Sequence, residues 1–208
     1  MTRLLQIIVS IILLHACSIN AKNMAATSNM GNMDTATFGG GCFWCTEAVF
    51  QQVNGVLSVT SGYSGGSIKN PSYREVCSGR TGHAEVIRIV YNPDQVSFKE
   101  LLDVFFKTHD PTTPDRQGND VGSQYRSVVF YHNEQQRETA LQYISELNLK
   151  GVFIQPLVTE ISPIRNFYPA GEYHQDYYER NKSQPYCVYV INPKLKKFQD
   201  EFSDKFKK

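Results

Sequence analysis

The sequence predicts an α+β sandwich with an active site built on long loops, on three observations. After residue 34 the apolar pattern alternates between strand-like and helical spacing, with no internal repeat or low-complexity block. Two polar stretches, 64–82 and 110–124, separate short regular elements, and long loops of that kind in a compact domain usually carry function. The 208 residues, 41% hydrophobic and 20% charged, have the composition of an ordinary soluble domain with chain enough for a sizeable core.

Taken in order, Thr35 to Phe38 is a short β-prone run entering Gly39-Gly40-Gly41. A helix is predicted from Cys42 to about Val53, a strand from Val56 to Tyr63, and a loop from Ser64 to Gly82 rich in Gly, Ser, Asn and Pro. His83 to Tyr91 reads as a strand. Glu85, Ile87, Ile89 and Tyr91 share one face, and Val86, Arg88 and Val90 the other. Glu85 thus stands on an otherwise apolar face, either solvated at the core margin or functional. Ser97-Phe98-Lys99-Glu100 is a capping box, and Leu101, Leu102, Val104 and Phe105 follow at helical spacing. Beyond the second loop, a strand is predicted from Tyr125 to His132, a helix from Asn133 to Leu147 capped by Asn133, and a strand from Pro156 to Ser162. Lys194 to Lys208 carries Leu195, Phe198 and Phe202 at helical spacing among lysines, as a docked terminal helix would.

The first residues stand apart. Arg3 precedes an apolar run from Leu4 to Leu14, so residues 1–17 read as a secretory signal peptide, too short for a spanning helix. Leu14-His15-Ala16-Cys17 resembles a lipoprotein cleavage box, although His15 is unusual there. One reading makes Cys17 a lipidated N-terminus and the other leaves it incidental to an ordinary cleaved signal. Residues 18–34 read as a flexible tether and 35–208 as the catalytic domain. The expectation is export, periplasmic or membrane-anchored, into an oxidising compartment where thiols need a dedicated electron supply. A formal net charge of +1 gives no broad attraction to nucleic acid, and we expect a monomer.

Gly39-Gly40-Gly41-Cys42-Phe43-Trp44-Cys45 is the sharpest local feature. Glycines let backbone amides approach a ligand closely. A cysteine at a helix start has its thiolate favoured by the dipole, which predicts a lowered Cys42 pKa. Phe43 and Trp44 are either an apolar wall beside the sulfur or ordinary core aromatics. Cys42 and Cys45 form a C-x-x-C pair, a redox disulfide or half a zinc site, and no second ligand pair stands at zinc-finger spacing, so no metal is expected. Cys45 is also readable as a buried structural residue. Cys77, beside Val76, reads as a small core residue. Cys187 is either a resolving thiol on a mobile segment or a buried cysteine leading into a strand at Val188 to Ile191. His83, His109, His132 and His174 are candidate bases, each more commonly structural. Tyr173-His174-Gln175-Asp176-Tyr177-Tyr178 reads as a helix packed by its aromatics.

Gly41-Cys42-Phe43-Trp44 followed by Glu47 resembles the signature of the A-type peptide methionine sulfoxide reductases. Further blocks match in order: Gly62 to Gly66, Asn70 to Cys77, Thr81 to Glu85, His109 to Thr112, Arg116 to Asp120, Gln124 to Ser127 and Ala170 to Gln175. The resemblance covers about residues 35–192. It implies a two-layer sandwich with a central mixed sheet and a preference for the S-sulfoxide. It implies that Cys42 attacks the sulfoxide sulfur and becomes a sulfenic acid. Phe43 and Trp44 would hold the methyl group, Glu85 would protonate the oxygen, Tyr73 and Tyr125 would hydrogen-bond it, and Asp120 would organise the pocket. A desolvated carboxyl has a raised pKa, which agrees with Glu85 on its apolar face. The chain departs from the family pattern at Cys45, where glycine is frequent, and in lacking a glycine-rich, two-cysteine tail. Cys45 and Cys187 both remain candidate resolving thiols, and a thioredoxin-like partner would reduce either disulfide, with no bound cofactor. A plain C-x-x-C oxidoreductase would leave Glu85, Tyr73 and Tyr125 unexplained. A cysteine hydrolase would need a histidine beside Cys42. A surface-anchored binding domain for oxidised proteins would not need the thiol at all.

Overall fold

A six-stranded sheet forms the centre of the computed structural model, which describes residues 32–207. The proposed signal peptide, Cys17 and most of the 18–34 tether lie outside the described residues. The elements run β1 (Asp34–Gly39), α1 (Phe43–Phe50), β2 (Val56–Ser64), α2 (Tyr73–Cys77), β3 (Ala84–Tyr91), α3 (Phe98–Thr108), β4 (Arg116–Gln117), β5 (Asp120–Val121), β6 (Val128–Tyr131), α4 (Glu134–Leu149), β7 (Glu160–Pro163), β8 (Tyr168–Pro169), α5 (Tyr177–Arg180) and α6 (Asn192–Glu201). Strand order is β7-β6-β1-β3-β2-β8, and β4 and β5 form a separate two-stranded hairpin. Only β6 and β7 pair in parallel, so the sheet is mixed, as the family resemblance implied.

The period-two reading of β3 holds. Ile87, Ile89 and Tyr91 join Ala36 and Phe38 of β1 in the main core, against residues of α1, α3 and α6. Ala84 and Val86 face the other way and pack with Val128, Phe130, Ile164 and Phe167. Helices thus cover one face, and little more than the 164–167 segment covers the other, where the Arg88 guanidinium sits 4.3 Å above the Phe167 ring. This is the predicted two-layer sandwich.

The caps hold too. Ser97 and Glu100 form a reciprocal capping box on α3, and the Asn133 side chain accepts from the Gln136 amide at the start of α4. Several boundaries differ from expectation. The 64–82 loop contains α2, started by a second capping box from Ser72 and Glu75 that the sequence reading passed over. The 110–124 loop contains the β4–β5 hairpin. Tyr125 belongs to a 3-10 turn, Ser123–Tyr125, rather than to strand β6. Strand β7 begins four residues later than expected, and β8 was not expected. Residues 188–191 are not a strand: Cys187–Ile191 is a turn of π-helix running straight into α6. The aromatic cluster near His174 is a 3-10 turn, Glu172–His174, followed by the short α5. Helix α6 ends at Glu201, after which the tail bonds the end of α1, with the Asn54 amide on the Lys205 carbonyl at 2.7 Å.

Phe38 links the layers. It is fully buried in β1 and stacks on Phe105 of α3 at 5.0 Å, with Phe50 of α1 at 5.7 Å and Phe98 at 5.8 Å. Truncating it leaves a cavity between three rings on two helices. Phe38→Ala is expected to lower stability by about 3–5 kcal/mol, read from urea unfolding, with the denaturant slope unchanged.

Candidate active site

The three glycines before Cys42 serve packing. A side chain at Gly40 would meet the Phe105 ring at 2.9 Å. Gly41 has φ +91 and would meet the Gln117 side chain at 2.6 Å. Gly41 thereby admits the β4–β5 hairpin, which brings Asp120 to the site. Gln117 is itself fixed by bonds to the Asp110 amide and carbonyl, both 3.1 Å.

Cys42 is the N-cap residue of α1, and Cys45 lies in the first turn, bonding the Cys42 carbonyl through its amide at 3.0 Å. The helix start does not lower the Cys42 pKa. Burial to 7% exposure raises it well above the ordinary thiol value, and the hydrogen bond its thiol donates to Cys45 and the charge of Glu85 add to that. The expected dipole effect is outweighed by burial. The first free amide of the helix, that of Phe43, bonds the Glu85 carboxylate at 3.1 Å. Cys45 is the thiol brought down, to about 7, by its bond to Cys42, helped by Lys194 and Tyr186 and opposed by burial.

Glu85 is 1% exposed, so the solvated reading is excluded. Burial pushes its carboxyl up to about 8, the Phe43 amide pulls it down, and the charges of Asp120 and Cys45 raise it further. The charge of Glu85 in turn raises the pKa of Tyr73 and Tyr125, whose burial is the larger cause, so both phenols are neutral donors. The same holds for Tyr63, which sits opposite Glu85 in the β2–β3 register. The fold thus brings Cys42, Cys45, Phe43, Glu85, Tyr73 and Tyr125 to one place.

Asp120 reaches this group through a residue that sequence reasoning missed. The Tyr186 hydroxyl donates to Asp120 Oδ2 at 3.0 Å and lies 3.6 Å from Cys45 Sγ. Tyr186 also meets the Trp44 ring edge-on at 5.8 Å. Its adjacency to Cys187 was the only signal in the sequence. Beside this contact, Gln117–Asp120 and Tyr186, Tyr189, Pro193 and Lys194 border a cavity of about 310 Å³. Cys187 is fully buried, its thiol raised by burial. Cys77, expected in the core, is exposed at the end of α2, where it is hydrogen-bonded to Tyr73.

Trp44 stacks flat on Tyr177, centroids 3.7 Å apart and planes 7° off parallel. Its indole N–H donates to His174 Nδ1 at 3.2 Å, which fixes the His174 proton on Nε2. His174 packs on Tyr73 at 4.5 Å and Phe43 at 5.1 Å, and burial holds it neutral by lowering its pKa. The other described histidines are also occupied. His83 ties the Gly66 amide to the Ile68 carbonyl, and His132 bonds Thr37. His109, held down to about 4 by burial, bonds the Phe105 carbonyl and Ser127. No described histidine bonds Cys42, which removes the support for a cysteine hydrolase.

Sequence and structure comparisons agree with this geometry. The sequence profile described as "Peptide methionine sulfoxide reductase" matches residues 34–206. A peptide methionine sulfoxide reductase MsrA of Sulfolobus acidocaldarius is 54% identical over 173 residues, covering 83% of this chain and 97% of that protein. One from Deinococcus radiodurans is 46% identical over 198 residues, covering 93% and 96%. Among solved structures, reduced Mxr1 from Saccharomyces cerevisiae superposes with TM-score 0.69 at 35% identity, over 75% of this chain and 90% of that one. Methionine sulfoxide reductase A of Corynebacterium diphtheriae gives 0.65 at 36% identity, over 74% and 77%. The chain belongs to the peptide methionine sulfoxide reductase family.

Proposed function

We propose that this methionine sulfoxide reductase acts on the S epimer, free or in oxidised proteins, with Cys42 as nucleophile and Glu85 as acid. The observation that carries the reading is the buried Glu85 carboxyl, held near 8 and joined to the helix that begins at Cys42. Each sulfoxide epimer has its own enzyme class, and the resemblance is to the class that takes S. Phe43 and Trp44 form the wall for the methyl group, and Tyr73 and Tyr125 donate to the sulfoxide oxygen. Cys42 sulfur attacks the sulfoxide sulfur while Glu85 gives its proton to the oxygen. The oxygen passes to Cys42 as a sulfenic acid and methionine leaves. The net proton comes from the Cys42 thiol, so Glu85 ends protonated as it began. Repair of oxidised proteins is the consequence.

Cys45 then attacks the Cys42 sulfenic acid, forming the disulfide and releasing water. Its position in the first turn after Cys42 and its hydrogen bond to Cys42 support Cys45 over Cys187, which has no such bond to Cys42 among the described residues. A thioredoxin-type dithiol reduces the disulfide. Export follows from the reading of residues 1–17, with Cys17 as a lipid anchor. If so, cells fed radiolabelled palmitate label the wild-type chain and not Cys17→Ser. Equal absence of label from both leaves a simple cleaved signal in its place.

The thiols are separated by assaying a methionine-sulfoxide peptide with two reductants. Cys42→Ser is expected to be inert with dithiothreitol and with thioredoxin. Cys45→Ser keeps dithiothreitol turnover and stops after one cycle with thioredoxin, and Cys187→Ser turns over with both. Thioredoxin turnover lost in Cys187→Ser but kept in Cys45→Ser transfers the resolving role to Cys187.

Glu85 has two pH signatures. Activity needs its protonated form, so kcat/KM falls as pH rises through about 8, and Glu85→Gln loses about 10²–10⁴-fold in kcat. Its folded pKa lies above the ordinary 4.5, so the stability it contributes is full below about 4.5 and is lost as pH rises through about 8. Glu85→Gln should therefore gain stability relative to wild type between pH 5 and pH 9 in urea titrations. A pH-independent difference removes the raised carboxyl from the account.

A further inference from the structure

We propose that Glu47 is a positioning residue: its carboxylate, one helical turn along α1 from Phe43 and Trp44, holds the backbone of Tyr177 and so fixes the Tyr177 ring against Trp44. The inference rests on the reading of Trp44 as part of the substrate wall. Glu47 lies three residues after Trp44 and four after Phe43, on the same helix face. It is 1% exposed, and the reaction as described gives it no part. Its Oε2 accepts from the Tyr177 amide at 3.3 Å, and the Asp176 amide also bonds the carboxyl.

The turn it holds would otherwise be poorly determined. Asp176 sits at φ +52, a left-handed conformation that a non-glycine residue keeps only when its surroundings impose it. The surroundings are three anchors in succession. His174 takes the Trp44 indole proton at 3.2 Å. The Gln175 side chain bonds both the amide and the carbonyl of Ser61 at 2.9 Å, which ties the segment to β2. Glu47 takes the amide at the end, where the Tyr177 ring lies 3.7 Å from that of Trp44. A residue that merely filled this space would be better apolar. The Ser61 hydroxyl is near enough to help hold the Glu47 pKa down, yet Glu47 Oε1 and Ser61 Oγ are buried without a bond of good geometry among the described residues, an arrangement that costs stability.

Trp44 is the only tryptophan in the chain, so its emission reports the stack directly. The full chain would be compared as wild type, Glu47→Leu, which keeps the volume and removes the acceptor, and Glu47→Gln, which keeps an acceptor for the Tyr177 amide. In Glu47→Leu the Trp44 emission maximum is expected to move, the Tyr177 amide to exchange with solvent faster, and KM for a methionine-sulfoxide peptide to rise about tenfold with kcat within about twofold. Glu47→Gln is expected to stay near wild type in all three. A folded Glu47→Leu with unmoved emission and exchange overturns the proposal, as does a Glu47→Gln equally impaired. Should Glu47→Leu not fold, exchange in wild type and Glu47→Gln decides, and a Tyr177 amide as fast as an exposed one overturns it. Emission and exchange that move without KM leave the clamp standing and overturn the reading of Trp44 as substrate wall.

Discussion

The hydrogen bond from the Phe43 amide to the Glu85 carboxylate, 3.1 Å long, is the contact on which the site depends. It joins the first turn of the helix that carries the thiols to the central strand of the sheet. A buried carboxyl needs a partner, and a helix start needs an acceptor for its free amides. Each need meets the other here. The consequence reaches the sulfur: the amide that satisfies Glu85 does not serve Cys42, and the two groups are held close enough for the charge of one to raise the pKa of the other. The nucleophile and the acid are therefore placed by one interaction, and a shift in either element disturbs both.

Around that contact the chain wraps three segments that share little secondary structure. The β4–β5 hairpin brings Asp120, admitted by Gly41. The 172–177 turn brings His174 and Tyr177 onto Trp44. The π-helical turn before α6 follows Tyr186, whose hydroxyl spans Asp120 and Cys45. A π-turn is uncommon and tends to occur at functional positions. Here it stands between Tyr186 and the regular helix whose Leu195 and Phe198 are buried in the core. Trp44 and Tyr186 are each held by a side-chain hydrogen bond at the polar end, and Tyr177 by its backbone amide, with its ring stacked on Trp44.

How much of this the sequence disclosed follows from the range of each interaction. The strand face that carries Glu85 was legible because period two is a local property, and burial of Ile87, Ile89 and Tyr91 follows from it. The caps at Ser97 and Asn133 were legible because their partners lie three residues away. Placement of Cys42 at a helix start was legible from the glycines and the spacing after them. Residues 188–191 were misread because Val, Tyr, Val and Ile favour a strand by propensity, and docking against α1 and α6 overrides that preference. Tyr186 and Glu47 were passed over because their roles depend on contacts 66 and 130 residues distant in the chain, which no local pattern encodes. The hydrogen bond between Trp44 and His174 was hidden for the same reason. The lowered pKa expected of Cys42 failed because the dipole argument counts the helix and omits burial and the competing carboxyl.

That failure explains how charge is distributed in the site. Cys42, Cys45 and Glu85 are three acidic groups in little solvent, and their mutual repulsion limits how many carry charge together. Asp120 takes a proton donor in Tyr186. Cys45 is the thiol near Lys194, whose charge stabilises a thiolate there. Cys42 and Glu85 are the two driven towards their neutral forms, burial being the largest cause for each. A neutral acid is what protonation of a sulfoxide oxygen requires, and a neutral thiol beside it can return the proton that the acid gives up. In this arrangement the apolar burial that makes Cys42 a poor thiolate is the same burial that keeps Glu85 an acid near neutral pH. The cost to the nucleophile and the gain to the acid are two effects of one environment, and neither can be tuned without moving the other.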